Sequence, residues 1–316
     1  MVIGICGLGN LGKGVARALK KYPDIKCTAI FSRREALKEY EGIAVYPFCE
    51  IENFKDKIDV LIAAMSSDEL KTFSPYLSKH FNIVESFDKH EQIKEHFMNV
   101  DYFSRENNKV SLISGGWDPG LFSFMRLISS AFNPCGECFT FWGEGVSQGH
   151  SNALRSVEGI KYAIEYTIPN KKAIEAARKG NFENIDRSNM HRRQCYVSLE
   201  DWADKKRTEE KIKNIDGYFK GYETDVDFVS SQEIKKRREK MPHGGIIISN
   251  YSNNKDGALM EFSLKLNSNP DFTAGILLSL ARAVYVMKNS GDFGAKTVFD
   301  IKPKWLIMGE DTLKFL

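Results

Sequence analysis

The chain has 316 residues, 42% of them hydrophobic and 28% charged, and a formal net charge of +3. That length allows two packed domains with separate cores, and the composition excludes a disordered chain. So small a net charge gives no electrostatic footprint for nucleic acid, and the basic run Lys235-Lys236-Arg237-Arg238, interleaved with Glu233 and Glu239, is expected to be a solvated helix face.

The N-terminal MVIGICGLGN has neither a basic leader nor a small-residue cleavage site, so export is not expected. Its apolar run VIGIC ends in Gly7-Leu8-Gly9-Asn10-Leu11-Gly12, and the helical pattern VARALKKY follows at once. Strand, glycine turn and helix in that order predict a dinucleotide site. Gly7 allows the tight turn, Gly9 lets the backbone approach a pyrophosphate, and Gly12 lets helix and strand pack closely. The next strand, IKCTAIF, ends in Ser32-Arg33-Arg34 where an NAD site would place a carboxylate for the ribose 2′-hydroxyl. A hydroxyl and two guanidiniums suit a 2′-phosphate instead, so the expected cofactor is NADP.

The alternation continues with DVLIAAM, a helix near 68–79, FNIVES, a helix from about 89 to 106, and KVSLISG. Repeated strand and helix imply a parallel sheet covered on both faces, with ligands beyond the carboxyl ends of its strands. Ser66-Ser67, Asp88 and Trp117-Asp118 occupy those ends. From residue 136 the pattern changes. ECFTFW, IKYAIEYTI, QCYVSLE, TDVDFVS, GGIIISNY and LMEFSLKL read as strands, with polar helices around 171–179 and 204–214. This predicts an α+β domain with a mixed or antiparallel sheet, one face of which is solvated or turned to a ligand. Within it, FWGEGVSQGH reads as a strand end, a glycine-rich loop and the start of a helix in SNALRSVEGIKYAI, whose first N–H groups near Gln148 and Gly149 suit a carboxylate.

A strong helical pattern returns from Asp271 to Lys288, with Pro270 at its start, and is expected to rejoin the nucleotide domain. Its stretch AGILLSLARAVYVM is interrupted by Arg282 and falls short of the roughly 20 apolar residues of a membrane span. The expected domains are therefore 1–118 for the dinucleotide, 119–270 for dimerisation and substrate, and 271–316 as the returning helix and tail. A cytosolic protein is expected to keep its six cysteines as thiols, and Cys135-x-x-Cys138, lacking a second Cys/His pair, reads as two strand cysteines with no metal.

Five blocks in order resemble the meso-diaminopimelate dehydrogenases: Gly115-Gly116-Trp117-Asp118-Pro119-Gly120; Phe141-Trp142-Gly143 through Gly149-His150-Ser151; Arg193-Gln194-Cys195; Met241-Pro242-His243-Gly244-Gly245; and Asn269-Pro270-Asp271-Phe272-Thr273-Ala274. With the glycine turn they span residues 4 to 274 and are far more specific than that turn alone. The resemblance implies a Rossmann-type domain plus an α+β domain, a homodimer, and NADP-dependent oxidative deamination of the D-centre of meso-2,6-diaminopimelate to L-2-amino-6-oxopimelate and ammonia. It further implies that Asp88 and Asp118 lie near the reacting amine and that Trp117 and Trp142 belong to the substrate pocket, Trp142 as its wall. Gln148 and Gly149 would receive the near carboxylate, and Thr167, Arg193, His243 and Asn269 would hold the distal L-centre. Glu85 departs from the shorter acidic residue expected there in some members.

The chemistry is consistent with this. The bound amine must lose a proton before hydride can leave its carbon, and Asp88 or Asp118 is a candidate acceptor. Two carboxylate anchors, Arg193 and the Gln148-Gly149 loop, would select a seven-carbon dicarboxylate. Two other readings share the nucleotide half: a dihydrodipicolinate- or saccharopine-type reductase, against which the FWGEGVSQGH block argues, and an NADP-sensing regulator using Cys135 and Cys138, for which no DNA-reading motif or tail is present.

Overall fold

Val2–Cys6 forms strand β1 and is buried from Ile3 onward, as an apolar run must be when both faces of its sheet are covered. Side chains alternate across it. Ile3 and Ile5 join one core cluster and Cys6 the other. The computed structural model describes residues 1–316 except 35, 36, 187, 238–240, 252–256, 308 and 310.

The chain divides into two compact units, Met1–Phe124 with Pro270–Leu316, and Met125–Asn269. In the first, β1 lies between β2 (Lys26–Ser32) and β5 (Val60–Ala63) in an eight-stranded sheet. Outward from β5 come β6 (Ile83–Glu85), β7 (Val110–Leu112) and β15 (Gly294–Lys296); outward from β2 come β4 (Ile43–Pro47) and β3 (Glu39–Tyr40). Every pairing is parallel except β3 with β4. Helices α1 (Asn10–Ala18), α2 (Ser67–Leu77) and α3 (Ile93–Glu106) connect the strands. This is the doubly wound arrangement that the sequence predicts, and its strand order turns at β1, where such sheets take ligands.

The helix from Pro270 is α9 (Asn269–Asn289), and Leu277, Leu278, Ala281, Val284 and Met287 on it are fully buried in the core shared with β1 and β5. By length and composition α9 could cross a membrane; just over half of its apolar window is buried inside the protein. Burial of each such Leu or Val contributes about 1.5–3 kcal/mol. Arg282, which interrupts the apolar run, donates two bonds to Asp24 at 2.6 and 2.9 Å and one to the Leu306 carbonyl at 3.0 Å, and this guanidinium holds the Asp24 carboxyl below its ordinary range.

Helix α4 (Leu121–Phe132) leads to the second unit. There β8 (Glu137–Trp142), β13 (His243–Tyr251) and β14 (Ala258–Leu266) make an antiparallel three-stranded sheet, with β13 central. A four-stranded mixed sheet runs β12 (Glu223–Phe228), β11 (His191–Leu199), β10 (Ile160–Pro169), β9 (Gly145–Val146), with only β11 and β12 parallel. Helices α5 (Gln148–Arg155), α6 (Lys171–Arg178), α7 (Lys205–Lys213) and α8 (Ser231–Arg237) belong to this unit.

Four details differ from the sequence reading. The helical spacing from Ser151 stops at Arg155, because Gly159 takes a φ of +89° and turns the chain into β10. The glycine-rich loop after Trp142 contains β9, paired with Tyr166 and Thr167. Cys135 lies in the turn before β8, so of that pair Cys138 alone is a strand cysteine. On α8, Lys235 and Lys236 are exposed, but Arg237 lies 3.8 Å over the Tyr196 ring and bonds Glu233; Arg238 and Glu239 are outside the described residues.

Candidate active site

In the first unit the expected cofactor residues gather at the carboxyl ends of β1, β2 and β5. Gly7 has φ +103°, and a Cβ there would stand 2.4 Å from the Ala64 carbonyl oxygen; one on Gly12 would stand 1.9 Å from the Gly7 carbonyl oxygen. Only glycine fits either place. Around Gly9 nothing lies within 4 Å of an added Cβ, which is open room for a ligand against backbone. Gly9 caps α1 without a side-chain hydrogen bond, and the first turn, which holds Asn10, Leu11 and Gly12, carries no acidic residue, so its N–H groups and positive end suit a pyrophosphate.

Ser32 ends β2 with its hydroxyl accepting the Arg34 N–H at 3.0 Å. Arg33 is about half exposed, forms an ion pair with Glu69, and lies 5.6 Å over the Phe73 ring. Glu69 also accepts the Ser66 N–H and hydroxyl at 2.9 and 2.8 Å, closing a capping box at the start of α2. Ser67 donates to Asp88 Oδ1 at 2.5 Å and accepts the Asp88 N–H at 3.0 Å, so a serine after β5 orients a carboxylate after β6.

Trp117 is buried edge-on to Phe122, and Asp118 is half-buried. Their turn is closed by Gly116 N–H donating to the Pro119 carbonyl at 2.8 Å and by Gly120, φ +129°. Glu85 explains how the two acidic loops hold their places. Wholly buried, it accepts the Phe87 N–H at 2.6 Å and the Ser114 N–H at 3.3 Å, and it pairs with buried His96 at 3.1 Å. Those bonds fasten the loop carrying Asp88 to the loop carrying Trp117 and Asp118, and a longer side chain spans the gap.

In the second unit the alternation along β10 sends Ala163, Glu165 and Thr167 to one face, opposite Val197, Cys195 and Arg193 of β11. Its lower part is apolar core with Leu154 and Ile212; its end is polar. Arg193, 6% exposed, donates Nη1 to the Thr167 hydroxyl at 2.7 Å and lies 4.4 Å over the Tyr222 ring. Its Nε is buried without a hydrogen-bond partner among the described residues. Thr167 pairs with Gly145 of β9, and a Cβ on Gly145 would come 2.3 Å from the His243 Cα. Asn269 N–H donates to the Met241 carbonyl at 3.0 Å, two residues before His243. Thr167, Arg193, His243 and Asn269 are thus linked through neighbouring backbones.

Gln148 and Gly149 are exposed at the start of α5, where Ser147 caps the helix by accepting the His150 N–H at 3.4 Å. Trp142 stacks on His191 with centroids 5.2 Å apart, and His191 Nε2 accepts the Trp142 N–H at 2.8 Å. Burial lowers the His150 and His191 imidazoles to about 3, with the Arg193 charge adding to it, so both are neutral acceptors or donors at physiological pH.

The model of the diaminopimelic acid dehydrogenase C-terminal domain matches residues 116–268. The meso-diaminopimelate D-dehydrogenase of Acetivibrio thermocellus is 45% identical over 311 residues, covering 96% of this chain and 93% of its own. The chain belongs to the meso-diaminopimelate D-dehydrogenase family. The family member of Corynebacterium glutamicum is 36% identical over 302 residues, covering 95% of this chain and 93% of its own. The solved structure of C. glutamicum DAP dehydrogenase in complex with DAP matches with a TM-score of 0.94 at 34% identity, covering 100% of this chain and 98% of that one. An engineered D-amino acid dehydrogenase bound to NADP+ matches at 0.91 and 33%, with the same coverage. The resemblance carried by the five sequence blocks is therefore real, and the Rossmann-type half joined to an α+β half is the family's fold.

Sequence reasoning passed over Glu165, Tyr222, His191 and Glu69. For Glu165 a signal existed: in IKYAIEYTI it shares the two-residue phase of Ala163 and Thr167, and a carboxylate on the same face as an apolar residue departs from a solvated edge.

Proposed function

We propose that the chain catalyses the reversible, NADP-dependent oxidative deamination of the D-centre of meso-2,6-diaminopimelate, giving L-2-amino-6-oxopimelate and ammonia. Within a family of this name, the observation that carries the reading is the buried Arg193–Thr167 pair with an unpartnered guanidinium nitrogen. A buried donor without a partner costs about 1–3 kcal/mol, and a ligand carboxylate removes that cost. Bound NADP supplies the hydride acceptor for deamination and the donor for the reverse direction.

The glycine turn at Gly7, Gly9 and Gly12, with Asn10 and Leu11, holds the pyrophosphate in this reading. Ser32, Arg33 and Arg34 take the 2′-phosphate, while Ser66 and Ser67 flank the dinucleotide. Asp88, aligned by Ser67, and Asp118 are the carboxylates that take the proton from the substrate ammonium, which must be lost before the carbon can be oxidised. In this reading Trp142 walls the substrate pocket, and Trp117 is a substrate-binding residue beside Asp118. The N–H groups at Gln148 and Gly149 hold the near carboxylate; Arg193, Thr167, His243 and Asn269 hold the distal amino-acid head. Two fixed heads orient the reacting carbon, which is where most of a positioning advantage comes from.

Purified protein with NADP+ should form NADPH with meso-diaminopimelate and show little or no rate with the LL isomer, which lacks a D-centre. Equal rates with the LL isomer, or none with the meso compound, would reject the reading; the DD isomer reports how strictly the distal head is read. We further propose a cytosolic C2 homodimer acting on small molecules, with neither nucleic acid nor membrane as partner. Light scattering at assay concentration should give twice the chain mass, and a monomer would refute the dimer.

A further inference from the structure

We propose that Glu165 is a positioning residue for the distal carboxylate anchor: it holds Thr167 and Arg193 in their binding arrangement, and loss of its proton weakens the anchor's hold on the substrate. The inference rests on the function proposed above and concerns a residue to which that reading gives no role.

The geometry fixes the direction of the relay. Glu165 is fully buried on β10, and its Oε1 lies 3.1 Å from the Thr167 hydroxyl. A threonine hydroxyl has one proton to give. Arg193 Nη1 can only donate, and it meets the same hydroxyl at 2.7 Å. Thr167 therefore accepts from Arg193 and donates to Glu165, which locks the hydroxyl and, through it, one edge of the guanidinium. The main chain of Glu165 does a second task. Its carbonyl accepts the Ser147 N–H at 3.2 Å, and its own N–H donates to the Ser151 hydroxyl at 2.9 Å. Those two serines bracket Gln148 and Gly149 at the start of α5. One strand residue is thus bonded to both elements assigned to the substrate carboxylates.

The charge state of Glu165 matters because Oε1 is only 3.9 Å from Arg193 Nη1. Ionised, it would share the guanidinium charge and repel a ligand carboxylate on the same cation; protonated, it leaves that charge to the ligand. Among the described residues Arg193 is the one cation within 4 Å of its carboxylate. On β11 the facing residues are Arg193 and Cys195, whose thiol burial pushes up; α5 carries His150, neutral for the reason given above, and Arg155, which donates to the Ala163 carbonyl at 3.0 Å. His191 is neutral too, β9 carries only Gly145 and Val146, and Arg237 of α8 lies on the opposite face with Tyr166 and Tyr196. His243 sits behind β9 and bonds its own neighbour, Gly244. Burial raises the Glu165 carboxyl to about 8, against the opposing pull of Arg193 and Thr167. A bound carboxylate beside Arg193 favours the protonated form further, so binding is tightest below about 8 and weakens as pH rises through it.

The test compares wild type with Glu165→Gln, which mimics the neutral acid and cannot ionise. KM for meso-diaminopimelate is measured at saturating NADP+ across about pH 7 to 9; the ratio of wild-type to variant KM should grow roughly five- to tenfold over that range. Titration of the substrate amine affects both proteins alike and cancels in the ratio. A constant ratio would overturn the proposal, since a merely structural glutamate shifts KM without a pH trend. If the variant does not fold, wild type alone decides through calorimetry with pimelate, which has two carboxylates and no amine, in two buffers of different ionisation enthalpy near pH 8. Proton uptake on binding is expected; binding without uptake, or no binding, overturns the proposal. Wild type that makes no NADPH from meso-diaminopimelate would instead discard the functional reading, leaving the pimelate result to judge the anchor by itself.

Discussion

Replacing Arg193 with Met is expected to lower kcat/KM for meso-diaminopimelate by about 2–5 kcal/mol while leaving the affinity for NADP+ intact. The methionine keeps an unbranched apolar stem of similar reach, but it removes the guanidinium over the Tyr222 ring, the donor to Thr167 and the one cation within 4 Å of Glu165 among the described residues. A distal carboxylate would then be buried without its partner, and Thr167 would lose the donor that orients it. Most of the loss should appear in KM. Part should appear in kcat as well, because binding energy at the remote head also fixes the reacting carbon. A short D-amino acid lacking the second carboxylate, if turned over, should suffer far less. Measuring both substrates with both proteins decides the matter: equal losses would mean that Arg193 supports the fold or the near centre and does not hold the distal head.

The nucleotide half is legible in the sequence because each of its devices is local. Gly7 takes a φ of +103° and Gly12 would meet the Gly7 carbonyl five residues back, and the Ser32 turn is closed by its near neighbour, Arg34. The bond between Ser67 and Asp88 is a step less local. It spans 21 residues and follows from β5 and β6 being adjacent in a parallel sheet, which the alternation of elements already implies. The hairpin of β3 and β4 escaped the sequence because its two-residue strand is largely exposed and has no periodicity to detect.

In the second half the same logic fails sooner. Alternation finds β8, β10, β11 and β13, yet it cannot give their register, and register is what sets Thr167 opposite Arg193 and Glu165 opposite Cys195. Taken alone, a glutamate in a strand suggests solvent. Only the packing of α5 over β10 shows that this one is sealed from water. The partner of Trp142 is 49 residues away, on a strand of the other sheet, and no local pattern connects it with His191. From Ser151 the helical spacing overlaps the strand pattern of IKYAIEYTI, and the positive φ of Gly159 is where the backbone passes from one to the other.

The second large effect should come from Arg33→Asp, which is expected to weaken NADP+ much more than NAD+. Arg33 stands at the end of β2, about half exposed, paired with Glu69 and over the Phe73 ring, so a 2′-phosphate would find a positioned cation rather than a mobile one. Losing one charge-assisted bond costs about 1.5–3 kcal/mol, or roughly ten- to hundredfold in affinity. Placing a carboxylate beside Glu69 adds repulsion against the phosphate, whereas NAD+ brings only a hydroxyl that a carboxylate can accept from. The turn itself should survive, because it is closed by Ser32 accepting the Arg34 N–H and by the Ser66–Glu69 capping box, neither of which uses the Arg33 side chain. Dissociation constants for both cofactors, measured by fluorescence of the reduced forms, separate the outcomes. A ratio moving at least tenfold toward NAD+ would place the 2′-phosphate at this turn; equal weakening of both would mean that Arg33 only supports the Glu69 cap, and that the phosphate is held elsewhere.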